Sequence, residues 1–146
     1  MSQPELRDAL FIPSDNRENF KQIIAKRSDL VRYSRGRLAP SLVGTYQYAG
    51  LVLGYASTGA DAGYYKAYNS ANSDGSQVAV GVLSEDASVS APWQGGSGPG
   101  DGSEIVIIKE GELFQSLLIG LDSTAITAMS GKSYTEGGNQ IISIRA

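Results

Sequence analysis

The side chains able to do chemistry in this chain are limited, and the two most versatile kinds are missing. Among 146 residues there is no His and no Cys. Without His, no side chain titrates unaided near neutral pH, which removes serine triads, imidazole acid–base steps and histidine-held metals. Without Cys there is no thiolate nucleophile, no disulfide and no cysteine-held zinc or iron–sulfur centre. Ala128-Met129-Ser130-Gly131-Lys132-Ser133 ends like a phosphate-binding loop, whose amides cradle phosphate while the Lys reaches it. The first glycine of that eight-residue pattern would fall at Ile126, so the segment reads as a turn leading to the last strands. Glu85 and Asp86 are adjacent; neighbours on a strand face opposite sides, so they do not make a pair converging across a sugar. Asn69, Asn72 and Asp74 offer oxygens but lack the spacing and terminal Glu of a calcium loop, and turn formation accounts for them. No catalytic residue, cofactor-binding residue or metal ligand is expected.

Residues suited to binding are more plentiful. The glycines at 95, 96, 98, 100 and 102 miss the spacing of a dinucleotide fingerprint, and Pro99 lacks the amide an anion would use. The segment 94–103, QGGSGPGDGS, is therefore expected to be a flexible loop. Trp93, the single tryptophan, either pins that loop or anchors a partner. Tyr46, Tyr48, Tyr55, Tyr64, Tyr65 and Tyr68 could form cross-strand pairs, subunit contacts or a stacking platform for sugars or bases. Trp93 and Tyr64 are candidate subunit or partner contacts.

The elements that must carry these residues divide by composition. Residues 1–40 hold eight Lys or Arg against five Asp or Glu, whereas the remaining 106 hold four against ten; only Gly36 of the 18 glycines precedes Pro40. A basic N-terminal arm (1–40) and an acidic, glycine-rich body (41–146) are expected. In the arm, Ser14 or Asp15 can cap a helix with Phe20, Ile23, Ile24, Leu30 and Val31 at helical spacing, which either docks on a partner or packs on its own body. The body reads as strands over 47–55, 64–68, 77–83, 104–109, 113–119 and 140–144. Lys109-Glu110-Gly111-Glu112 reads as a hairpin turn, Gly137-Gly138-Asn139 as a turn before the last strand, and Asp122–Met129 as a short helix capped by Asp122 or Ser123. MSQPELRDAL is acidic and proline-bearing where a secretory leader is basic and apolar, and no run approaches the ~20 apolar residues of a membrane span. A soluble protein made in a cytoplasm is expected, and its acidic body argues against nucleic acid.

The order of the body's motifs resembles the head decoration (capsid-stabilising) protein family of tailed phages, to which the lambda head protein D belongs. The carrying residues are Lys66-Ala67-Tyr68, then the turn and strand Asp74-Gly75-Ser76-Gln77-Val78-Ala79-Val80-Gly81-Val82-Leu83, then IVIIKEG over 105–111, and Ile142-Ser143-Ile144. The resemblance covers about residues 40–146. It implies a non-catalytic homotrimer on the outer surface of the expanded virion shell, at threefold and quasi-threefold sites, clamping the phage major capsid protein. It implies further that the N-terminal segment orders on the shell by adding a strand, with Leu6, Leu10, Phe11, Ile12, Phe20, Ile23, Ile24 and Arg27 as docking residues. The longer, charged and partly helical arm and the glycine-rich insert after Trp93 depart from the family. The expected fold is mainly β: a small mixed-β, barrel-like or sandwich-like body with one or two short helices and an extended, partly helical arm. The alternatives are another virion or surface β-module that binds carbohydrate through Tyr and Trp93, and a small enzyme working with carboxylates or hydroxyls alone.

Overall fold

The computed structural model describes residues 23–26, 30–89 and 104–146. Its organising element comes from the most β-prone stretch of the chain, Ile105-Val106-Ile107-Ile108, whose branched side chains favour an extended backbone. That stretch opens β8 (Glu104–Phe114), which meets β2 (Arg32–Arg37) and β6 (Ala79–Leu83) in its first half, and β1 (Ile24–Lys26) and β10 (Asn139–Arg145) in its second. Beyond β6 follow β4 (Val52–Tyr55) and β5 (Tyr65–Ala67); beyond β10 lies β9 (Lys132–Glu136). A separate two-stranded ribbon joins β3 (Tyr46–Gln47) to β7 (Ala87–Ser88). The helix α1 (Ser123–Ala128) precedes β9.

The sheet closes on itself. Leu38, just past β2, bridges to Tyr65 on β5, and the Ala39 amide donates to the Tyr65 carbonyl at 2.9 Å. The ring β2–β8–β6–β4–β5 is thus a small barrel filled by Leu38, Leu53, Leu83, Ile105 and Ile107. A side chain at Gly36 would run into the Tyr65 ring, so this position must stay bare for the ring to pack there. On the other side of the same strands, Val52, Val82 and Ile108 join Leu113, Ile142 and Ile144 beneath Ala125 and Met129 of the α1 region. Alternation along each strand (Val52/Leu53, Val82/Leu83, Ile108/Ile107) divides the residues between the two cores.

One irregularity lets β8 serve both cores. Arg32 opposes Glu110 while Tyr33 opposes Ile108, leaving Lys109 as an extra residue, a β-bulge. Beyond the bulge the parity reverses, so Leu113 faces the helix-side core that Ile108 faced before it. Lys109–Glu112 is therefore strand, not the hairpin turn expected: pairing on both sides holds the backbone extended through Gly111. After β8 the chain makes a 3₁₀ turn, Gln115–Leu117, rather than the expected strand.

Other expectations meet mixed outcomes. The mainly β, barrel-like character is as expected. Asp122 caps α1, its carboxylate accepting from the Ala125 amide, and Gly137-Gly138 forms the turn before β10. The strand expected over 47–55 is interrupted around Gly50 (φ 97°) and yields β3 and β4. β9 is an unexpected strand, only its first two residues, Lys132 and Ser133, lying in the stretch read as a turn leading to the last strands. The compositional boundary at Pro40 is not a structural one, because β1 and β2 pair with β8 and Leu38 closes the barrel. Ile23 and Ile24 are not helical: Ile24 lies in β1, and the Ile23 carbonyl accepts from the Phe114 amide. Local helical periodicity lost there to the main-chain partners offered by β8. The start of the expected helix, Ser14 to Phe20, lies outside the described residues.

Candidate interaction surface

The residues singled out from the sequence do not converge. Ile23 is buried in the protein's own core, where its apolar surface is already covered and cannot dock on a capsid, whereas Ile24 is partly buried against that core. Tyr64 is half-buried in a turn, its amide donating to the Asp61 carbonyl and its carbonyl accepting from the Ala56 amide. Leu6, Leu10, Phe11, Ile12, Phe20, Arg27, Trp93 and the 94–103 segment lie outside the described residues. Asn69, Asn72 and Asp74 are turn formers as expected: Asn69 accepts from the Ala71 amide and Asp74 from the Ser76 amide. Among the described residues no three His, Cys, Asp or Glu side chains group as a metal site, and no helix is long and apolar enough to cross a membrane.

What the fold does assemble is an outward stripe on β2. The strand RYSRGR turns Ser34, Gly36 and the following Leu38 towards the barrel, leaving Tyr33, Arg35 and Arg37 exposed on the other face, with Tyr33 51% exposed. Arg35 and Arg37 stand opposite Val106 and Glu104 and border a depression of about 330 Å³. Arginine and tyrosine on a rigid strand are the residue types that interfaces favour. The signal was present in the sequence as period-two Arg spacing, but it became readable only once residues 32–37 were known to be a strand.

Past the bulge the opposite face of the sheet, the one that faces the barrel core as far as Ile107, carries rows of alternating charge. Glu110 is held between Arg32 at 3.1 Å and Arg145 at 2.8 Å. In the next row Lys132, Ser143, Glu112 and Lys26 oppose one another across β9, β10, β8 and β1. Lys26 bonds Glu136 at 2.8 Å and lies 5.6 Å from the centre of the Tyr134 ring, while the Tyr134 hydroxyl donates to Glu112. Hydrogen bonding to Glu112 raises the Tyr134 pKa, and the bond to Glu136 raises that of Lys26. A groove of about 520 Å³ runs along this face between Leu30 and Lys132.

A polar clamp fixes the loops at the other end of the barrel. Lys66 bonds Asp61 at 3.1 Å and Asp74 at 3.0 Å, and the Ser41 hydroxyl donates to Asp61 at 2.7 Å. Burial alone would raise the Asp61 pKa, but the bonds from Ser41 and Lys66 outweigh it and hold the carboxyl below its ordinary value. The Ser76 hydroxyl and amide, followed by Lys66, push Asp74 down strongly. Lys66 is raised chiefly by its bond to Asp74. Charges paired and hydrogen-bonded in this way staple the loops that carry them. Elsewhere, Tyr46 and Tyr48 pack edge-to-face at 5.0 Å while remaining 47% and 52% exposed.

No protein-family model matches this chain, and neither a curated protein nor a solved structure does.

Proposed function

We propose that this chain is a structural virion protein that binds the outer surface of an expanded phage capsid and stabilises it, as a non-catalytic homotrimer at threefold and quasi-threefold sites. The observation carrying this reading is that all four segments bearing the decoration-protein resemblance (66–68, 74–83, 105–111 and 142–144) overlap strands of one continuous sheet. Leu6, Leu10, Phe11, Ile12, Phe20 and Arg27 remain the docking residues for the major capsid protein. Tyr33, Arg35 and Arg37 add a rigid basic and aromatic surface suited to an acidic partner. Weak contacts suffice for such a protein, because repetition over the shell and attachment through several subunits multiply them. Neither nucleic acid nor membrane is a partner, and the protein is made in the host cytoplasm before joining the virion.

Co-sedimentation with expanded and unexpanded heads of its own phage tests the reading, comparing the full chain with a Phe11→Asp/Ile12→Asp variant. Saturable binding to expanded heads alone, lost in the variant, is the expected result; binding to neither form sinks the proposal. The exposed Tyr46–Tyr48 pair favours a second reading, a surface module that stacks on sugars. Glycan binding lost in Tyr48→Ala, without head binding, would establish it instead.

A further inference from the structure

β9 is a sheet edge. Among the described residues it pairs with β10 alone, and Lys132, Ser133, Thr135 and Glu136 are exposed. Gly137 and Gly138 both have positive φ (60° and 83°), as in a two-residue type I′ turn, so Glu136 and Asn139 form the hydrogen-bonded pair that closes the hairpin. Alternation along the ladder then turns the main-chain groups of Glu136, Tyr134 and Lys132 towards β10 and those of Ser133 and Thr135 outwards.

We propose that this edge pairs antiparallel with the same edge of a second copy of the chain, about a two-fold axis passing beside Tyr134. The sequence Lys132-Ser133-Tyr134-Thr135-Glu136 is self-complementary in that register. Lys132 of each copy meets Glu136 of the other, and Ser133 exchanges two main-chain hydrogen bonds with Thr135 of the other. Tyr134 meets its own counterpart in the closer, non-hydrogen-bonded pair. Sliding by two residues leaves one outward residue unpaired and sets Tyr against Lys or Glu; sliding by one aims the outward main-chain groups at side-on neighbours. The side chains are already positioned: Glu112 holds the Tyr134 hydroxyl and Lys26 holds Glu136, which reduces the ordering cost of contact. Charged ends on an edge strand ordinarily block non-specific pairing; here their opposite signs select one partner, this chain itself. The inference does not rest on the capsid reading. The contact is far smaller than a standard interface of roughly 1,600 Å², so association is weak in dilute solution.

Because the chain lacks cysteine, single cysteines report the register directly. In the two-fold pairing, residues 134 face each other at a Cβ separation of about 5 Å, within disulfide reach, whereas residues 136 lie roughly 13 Å apart. Mild oxidation of the Tyr134→Cys chain gives a covalent dimer, Glu136→Cys gives none, and adding Thr135→Pro to Tyr134→Cys abolishes it. Sedimentation equilibrium of the unmodified chain, carried to high concentration, shows the dilute species doubling in mass. Lys132→Glu weakens this doubling at least tenfold, and Lys132→Glu/Glu136→Lys restores it. Equal cross-linking at 134 and 136, no cross-linking of a folded Tyr134→Cys chain, or doubling unaffected by Lys132→Glu overturns the proposal.

Discussion

Ser130 is the only non-glycine residue with positive φ (54°) among the described residues, and it ends α1 in a Schellman arrangement. The Gly131 amide donates to the Ile126 carbonyl at 2.7 Å and the Ser130 amide to that of Thr127 at 3.1 Å. Gly131, one residue later, supplies the bare position for another reason: a Cβ there would crowd Ile142 and Ile126. A side chain in the left-handed region costs about 1 kcal/mol, so Ser130→Gly should raise stability by roughly 0.5–1 kcal/mol, read from the urea midpoint. At the helix's other end Asp122 has two tasks, capping through the Ala125 amide and accepting from the buried Tyr68 hydroxyl at 2.9 Å. Asp122→Ala should therefore cost about 2–3 kcal/mol, more than a cap alone, while Tyr68→Phe should cost about 1 kcal/mol. Both follow from chemical denaturation.

At the scale of elements, the barrel depends on β4 lying closer to the turn that leads into β6 than a side chain would allow. A Cβ on Gly54 of β4 would approach the Ser76 carbonyl oxygen to 2.4 Å and the Ser76 Cα to 2.7 Å, and main chain cannot swing aside as a flexible side chain can. Gly54→Ala is expected to destabilise by about 2–3 kcal/mol, whereas alanine at the equally buried Ala56 is native. Thermal unfolding of the substituted chain checks the magnitude. The strands β1 and β2 are equally integral, since β2 covers one side of the first half of β8 and Leu38 completes the ring. A chain beginning at Ser41 is expected to lose cooperative unfolding and near-UV circular dichroism altogether. Loss of head binding by such a chain would report misfolding, not the role of the arm, so docking is tested by substitution at Phe11 and Ile12.

For the molecule as a whole, the Ser41–Asp61–Lys66–Asp74 clamp ties three separate loops together and sets a dependence on pH. Asp61 and Asp74 both titrate below their ordinary value of 3.8 when folded. Their contribution is complete well above that value, where both states are ionised, and is lost as pH falls below it, because the unfolded chain binds protons first. The difference in Tm between the native chain and Asp74→Asn should therefore be constant from pH 7 to about 5 and shrink as pH approaches 2. A difference that grows on acidification would assign the stabilisation to other groups.

Local chemistry made part of this fold legible in the chain alone: the β-rich character from the branched run at 105–108, a helix capped at Asp122 or Ser123, the Gly137-Gly138 turn and the turn roles of Asn69 and Asp74. Each of these is decided by a residue and its immediate neighbours. Tertiary structure decided the rest. The sequence Lys109-Glu110-Gly111-Glu112 carries turn residues, yet partners on both flanks hold it extended, and a bulge there was invisible without knowing what lay opposite. Ile23 and Ile24 show helical spacing with one another's neighbours, but the main-chain groups of β8 gave them a strand. That the Arg35–Arg37 spacing faces outward, and that β9 pairs with β10 alone among the described residues, are likewise properties of pairing, which joins residues as far apart in the chain as Ile24 and Leu113.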